Sequence, residues 1–591
     1  MLPRSRSLHA GRSPALIARR AGARASIIRR VNSRIAPFAA GLAGLIAAAA
    51  LVSAPYRPAL APLPADWQAA SELDVTLFPA GAVYAGDRIG IAAETDADPK
   101  GRKLQVRVDR PDSSPVAEAP FFYNDRSGKW ASQIPWAWDS TGKAGWHTLL
   151  VSLTVNSAGA SVAEEMLRFP MLILPASLRP AQREDAVWRR AESDCCEYYF
   201  LSGTEAERDI TELESLTEYA YTALYPQITG KAPERNAQTA GVPDARTESK
   251  PALVLLPRML GQGGLTTSEV FLSYLDRDYT GTEFPVAVKH EMVHMLSAEQ
   301  AGSGIPAPVF LQEGWAVYLV GGHYRAPEPL SERAAALLAL GRYTPLRRLI
   351  DSFVASQHEA AYIEAGAFLE YLAVRFGQER VREMFFDAQK ADRPSAMVDS
   401  TLRRHFECTL ESCEEDWLQT LRSLSPPPIV ESDVDFTIRL FDLIRRYQQA
   451  YVPGDSIYDL WLPDPDRARK DAITADYLSP PEPVEAVALE LMFLAARRAA
   501  DEGERALARE TLDAVCLVLD AKARRVPDPI GVSARAANFG RLTAAVLRAG
   551  WEPLSIEFLD GGASVLVRDP AALQKEAQRW VSVRGNWALG G

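Results

Sequence analysis

The chain has 591 residues, 47% of them apolar and 24% charged, with a formal net charge of −11. That composition excludes a polytopic membrane protein and a largely disordered one, and the length allows three or four globular units. Five cysteines are too few for disulfides to hold such a chain together, and an odd number cannot all pair within it.

The first 34 residues carry nine charges, all arginine, so the remainder has a net charge near −20. An uncharged run at 35–54 follows, roughly 30 Å long as a helix and sufficient to cross a bilayer. Arginines before it predict a cytoplasmic start, 1–34, and a single-pass membrane protein whose bulk lies outside the cytoplasm, at the cell surface or in the periplasm. Val52-Ser53-Ala54 has the form of a signal-peptidase site, but Pro55 and the long basic lead favour an uncleaved signal-anchor. The Pro- and Ala-rich stretch 55–73 reads as a stiff spacer.

From 74 to 180, alternating stretches such as Leu104-Gln105-Val106-Arg107-Val108 are separated by turn residues and predict an antiparallel, immunoglobulin-like β-sandwich. Residues 181–424 read as an α+β domain. It has a strand at 196–200, a helix through Ile210 and Leu224, a polar loop at 229–250, strands at 253–256 and 270–275 around a glycine-rich turn, and helices from 285 onward. Pro426-Pro427-Pro428 marks a boundary. The rest, 425–591, reads as a mainly helical α+β domain, with helices at 485–499 and 504–520, a strand pair turning at Gly561-Gly562, and a helix near 570–580. Cys408 and Cys413 bracket a short turn and suit a disulfide in an oxidising compartment. The adjacent Cys195 and Cys196 do not suit a mutual bond, and Cys516 reads as a free thiol.

The chemistry is concentrated in Pro285-Val286-Ala287-Val288-Lys289-His290-Glu291-Met292-Val293-His294. Four-residue spacing puts both imidazoles on one face of a helix, where they can share a metal. The helix is nearly apolar all round, so two histidines and a glutamate buried in it require partners. A catalytic zinc needs a third protein ligand and an open position. Glu313 is the only charged residue of a second apolar helix, 309–319, and the small neighbours Gly314 and Ala316 would let the two helices approach closely. His290, His294 and Glu313 are therefore the expected Zn2+ ligands, with Glu291 acting on the attacking water.

The spacing His290-Glu291-x-x-His294, eighteen residues, then Glu313-Gly314-x-Ala316-x-Tyr318 resembles the gluzincin zinc metallopeptidases, in particular the peptidase MA-like family related to the M1 aminopeptidases. The resemblance covers roughly 193–423. The segment from Tyr362 to Leu372 followed by Arg375-Phe376-Gly377 is similar to the part after the zinc helices, and Trp417 to the family's C-terminal helix. It implies hydrolysis of protein or peptide substrates with Tyr362 as donor to the oxyanion; His323 and Tyr324 are alternatives. No nucleic-acid partner is expected.

Two departures matter. The aminopeptidase Gly-x-Met-Glu-Asn motif is absent, although Glu269 stands in a broadly similar place, so aminopeptidase activity is not expected; between endo- and exopeptidase, the former is slightly preferred. Val317 replaces the Asp that orients a ligand histidine in thermolysin-like enzymes, so that group must come from elsewhere. A competing class is a membrane-anchored binding or assembly protein that uses the metallopeptidase fold as a scaffold.

Overall fold

The computed structural model describes residues 73–590, apart from 80–81, 125–128, 158–159, 180–185, 232–249, 258–262, 303–305, 388–390, 452–464, 479–482, 571 and 584–585. The arginine-rich segment, the apolar run 35–54 and almost all of the spacer lie outside the described residues, as does most of the polar loop. No helix among the described residues is long and apolar enough to cross a membrane.

Nine strands come first: β1 (Asp74–Phe78), β2 (Val83–Tyr84), β3 (Arg88–Thr95), β4 (Lys103–Val108), β5 (Ala117–Pro120), β6 (Phe122–Asn124), β7 (Lys129–Asp139), β8 (Gly145–Ser157) and β9 (Ala160–Leu174). They form two sheets, β1-β3-β7-β6 and β2-β9-β8-β4-β5. Ile89, Ile91 and Ile134 of the first sheet meet Leu104, Val106, Leu149 and Val151 of the second in one buried core. Every pairing is antiparallel except the two-residue β2, which runs parallel to β9. At Trp136 the backbone enters the left-handed region (φ 52°), rare for a bulky side chain. The indole is buried outside the sandwich core, and its Nε1 donates to Asp476 Oδ2 at 2.7 Å.

The central region opens with β10 (Trp188–Glu192), β11 (Glu197–Leu201), the long helix α1 (Glu205–Thr229), β12 (Ala252–Leu256), β13 (Gly264–Thr266) and β14 (Val270–Ser273). The strands make a mixed sheet, β10-β11-β12-β14-β13, with β13 at one edge. Three of them are buried on both faces, which is why they read as unbroken apolar runs. Tyr198, Phe200, Leu253, Leu255, Val270 and Leu272 face the main core. Leu201, Val254, Leu256 and Phe271 face the other way, covered by Trp136 and by Ala468, Ile473 and Tyr477.

Helices follow: α2 (Phe284–Ala301), α3 (Val309–Val320), α4 (Leu330–Ala339), α5 (Leu346–Asp351), α6 (His358–Phe376), α7 (Gln378–Phe386), α8 (Pro394–Phe406), α9 (Leu410–Ser423), α10 (Pro428–Tyr451), α11 (Pro465–Lys470), α12 (Val484–Asp501), α13 (Arg505–Ala523) and α14 (Ala534–Arg548). The chain ends in a four-stranded antiparallel sheet, β15 (Glu552–Leu559), β16 (Gly562–Arg568), β17 (Lys575–Val583) and β18 (Asn586–Leu589). The molecule is thus N-terminal sheets, a helical middle of fourteen described helices and a C-terminal sheet.

The expected helix at 570–580 is wrong. Its second half is β17, where Gln578 and Trp580 point inward on alternate positions and pair with β16. The Ala-Leu-Gln-Lys-Glu-Ala composition favours a helix locally, but cross-strand packing overrides it. One cysteine expectation also needs correction: the adjacent Cys195 and Cys196 are bonded to each other. Cys408 and Cys413 form the expected bridge, and Cys516 is a free thiol, half-buried.

α10 begins at Pro428, directly after the proline run, and belongs to two cores. Val434 and Ile438 pack with the central helices, whereas Leu440, Phe441 and Ile444 pack with α12 and α13. Fully buried Arg277 fastens the same junction through its Nε to Glu490 Oε2 at 2.8 Å.

Candidate metal centre

The two zinc-motif histidines project from α2, which starts on Pro285 in its first turn, a position where the missing N–H costs nothing. Val288, Met292, Val293, Met295 and Leu296 of that helix enter the main core. α3 lies beside it. His290 Nε2 is 3.1 Å from Glu313 Oε2 and 3.1 Å from His294 Nε2, and His294 Nε2 is 3.3 Å from Glu313 Oε2. Among the described residues this is the one group of three or more metal-ligating side chains.

The donor set fits an ion. Tetrahedral zinc with bonds of about 2.0–2.2 Å holds neighbouring ligand atoms roughly 3.3 Å apart, the size of this triangle. Two neutral imidazoles and one carboxylate are also the donors zinc favours in catalytic sites. Glu291, on the same helix, faces the cavity beside the triangle and is not part of it.

Electrostatics follow from burial. Burial drives His290 down to about 4 despite its bond to Glu313. Burial acts on His294 in the same sense, but the Glu313 charge outweighs it and raises this histidine to about 9. Burial opposes ionisation of Glu313, yet the two imidazoles hold it well below the usual carboxylate range. Burial, with the Glu313 charge adding to it, pushes Glu291 up to about 7, against the pull of His294 and Thr266. Without an ion Glu291 therefore sits near neutrality.

Edge strand β13 fixes that carboxylate. Thr266 Oγ1 donates to Glu291 Oε2 at 2.8 Å, and a Cβ on Gly264 would lie 2.4 Å from Glu291 Cγ. Gly264→Ala is expected to displace the Glu291 side chain while leaving the metal bound. Activity should fall by about a hundredfold at unchanged zinc content, read by peptide hydrolysis alongside metal analysis.

Tyr362, on α6, reaches the same cavity. Its ring centroid is 6.2 Å from that of His290 and it stacks on His323 at 4.0 Å. Burial, then the Glu313 and Glu291 charges, keep its hydroxyl protonated, well above the usual phenol range. His323 lies just past α3. Its Nδ1 is 3.0 Å from Glu359 Oε2, and Glu359 Oε1 accepts from Arg333 Nη2 at 3.0 Å. Tyr324 stacks on Phe441 at 3.8 Å and lines the cavity too.

Other expectations fare differently. Glu269 is bound by Arg469 at 2.6 Å and does not line the cavity. Gly314 does permit a close approach, but to α6 and not to α2, because a Cβ there would lie 2.8 Å from the Ala365 carbonyl. Val317 packs against Gly366 in the same seam, where an added Cβ would meet it at 2.3 Å. His290 Nδ1 is buried with no hydrogen-bond partner among the described residues.

Several cavity residues escaped the sequence reading. His358 packs on Tyr362 at 4.4 Å, and burial followed by the Arg445 charge keeps it well below the usual histidine range. Four of the chain's seven histidines converge here, and that scarcity was the available signal. From α10 come Phe441, Ile444, Arg445 and Gln448, spaced as one helix face.

A nearby buried acid is separately testable. Glu364, two residues beyond Tyr362, is fully buried; it accepts from Thr344 N at 3.0 Å through Oε1, and its Oε2 has no hydrogen-bond partner among the described residues. Burial raises it well above the usual range, with Glu414 adding. The folded state then keeps a proton that the unfolded chain releases, so this residue's contribution to stability declines as pH rises above about 4.5. Glu364→Gln should melt with wild type near pH 4.5 and progressively above it toward neutrality, by about 1.4 kcal/mol per pH unit until the folded pKa is passed.

No protein-family model matches the chain, and no curated protein matches it. Among solved structures, the crystal structure of Salmonella alpha-2-macroglobulin reacted with methylamine aligns at 14% identity over 75% of this chain, with a TM-score of 0.11. The chain spans 26% of the length of that protein, and the likeness carries no argument about fold or function.

Proposed function

We propose that the protein is a zinc-dependent peptidase of gluzincin type that hydrolyses peptide bonds of extracytoplasmic protein or peptide substrates. The observation that carries the reading is the triangle of His290 Nε2, His294 Nε2 and Glu313 Oε2, with sides of 3.1, 3.1 and 3.3 Å, beside a carboxylate held outside it. When bound there, zinc supplies a Lewis acid that polarises the scissile carbonyl and acidifies the attacking water. Glu291 accepts the water's proton and delivers it to the departing amine nitrogen. Thr266 orients the carboxylate for that transfer. Tyr362 donates its hydroxyl proton in a hydrogen bond to the oxygen on which negative charge develops. Its persistent protonation supports the role.

The same reading extends to the rest of the chain. The strand order β1-β3-β7-β6 against β9-β8-β4 corresponds to the ABED and GFC sheets of immunoglobulin domains, which supports that assignment for 74–180. The Cys408–Cys413 bridge supports an oxidising compartment, and the arginine-flanked run 35–54 supports a single membrane tether.

The test is metal analysis of the purified protein together with cleavage of a casein-type substrate, before and after chelation and zinc return. About one zinc per chain, with cleavage lost on chelation and restored by the metal, is the expected result. Zinc bound without cleavage would favour the scaffold alternative, and no bound metal would remove the site itself.

A further inference from the structure

The cavity at the metal centre holds about 120 Å³ and is closed on one side by α10. Arg445 is the only arginine or lysine among the described residues that line it. Gln448 donates to Tyr279 Oη at 3.1 Å, and the Thr280 and Thr282 hydroxyls lie 2.9 Å apart. Arg445 is half-buried and its charge is felt by Tyr324, Tyr362 and His358, all in the cavity. A dication on the ligand triangle would be balanced by Glu291 and Glu313, which leaves Arg445 as the cationic side chain among the described lining residues; Asp442, whose charge acts on it, is exposed and does not line the cavity.

We infer that Arg445 binds a carboxylate of the substrate and thereby selects peptides that carry one close to the cleaved bond. The inference rests on the peptidase reading above and adds the substrate class. An unmodified peptide offers two sources of this group, its C-terminus and the side chains of Asp and Glu, and both match the planar two-donor fork of a guanidinium. Aromatic walls formed by Tyr324, Tyr362 and Phe441 strengthen such a contact by keeping water away from it.

The test uses the full chain, zinc-loaded and carrying Glu291→Gln, so that binding is read by calorimetry without turnover. Three peptides of one sequence are compared: amide-capped and neutral, free at the C-terminus, and amide-capped with one Glu. At least one carboxylate peptide should bind about tenfold more tightly than the neutral one, the worth of a single charge-assisted contact. Adding Arg445→Met should bring the ratio to within about twofold, and Arg445→Lys, which keeps the charge without the fork, to an intermediate value. A preference for the free terminus identifies terminal recognition and a preference for Glu identifies an acidic side-chain subsite; either supports the inference. Equal binding of all three peptides with Arg445 present overturns it. So does a preference that survives Arg445→Met, or a lysine variant that favours the neutral peptide. If wild type cuts none of the peptides while the preference and its loss are both seen, the peptidase reading falls and the carboxylate site stands. If wild type cuts without preference, the reverse holds.

Discussion

Glu291→Gln is expected to lower peptide hydrolysis by about 10²–10⁴-fold while the zinc content per chain stays unchanged. The glutamine amide has the shape of the carboxylate and keeps an oxygen for the Thr266 hydroxyl, which lies 2.8 Å from Glu291 Oε2. It cannot accept a proton. Because Glu291 lies outside the His290, His294 and Glu313 triangle, metal retention and catalysis separate in this variant. The pH profile provides a second check. Glu291 must be unprotonated to act, so activity falls with decreasing pH through its pKa, which is about 7 without an ion and moves lower beside one. That acid limb should vanish from whatever activity the variant retains. Hydrolysis within tenfold of wild type, or loss of the metal, would count against the assignment.

The second large effect is on the ion itself. Glu313→Ala leaves two imidazoles on one helix and no carboxylate, so bound zinc should fall from about one per chain to near zero at micromolar metal. Anything that binds only the folded state stabilises it by RT ln(1 + [L]/Kd), about 4 kcal/mol at a thousandfold excess over Kd. Wild type should therefore melt well above the variant when metal is present, and a chelator should lower the wild-type midpoint while leaving the variant unmoved. The variant also removes the charge that raises His294, so the apoprotein should take up a proton there at lower pH than wild type. A variant that keeps stoichiometric zinc would show that the ion is held elsewhere.

The candidate metal-ligand group was legible in the sequence because its geometry is local. Four residues along one helix fix the two imidazoles, and a lone acid in an apolar helix has few reasons to be there. Strands with apolar residues on both faces, such as 253–256, were legible for the same reason. What the sequence concealed is long-range. Nothing near Phe441 or Arg445 indicates that α10 covers a cavity about 150 residues upstream, since its apolar stripe reads as ordinary core. Gly314 was recognised as a close-approach position but assigned to the wrong neighbour, because spacing identifies a face and not what packs on it. The three-residue β13 is too short to carry a period, yet it positions Glu291.

The second face of the central sheet has a kinetic implication. Val254, Leu256 and Phe271 are sealed by Ala468, Ile473 and Tyr477, which leave the ribosome about 200 residues later, roughly 10–40 s at ordinary elongation rates. Throughout that interval Trp136 faces this apolar surface without its later partners, the kind of intermediate that chaperones shield. Completion of this core therefore waits on the last third of the chain, however early the candidate metal ligands are made.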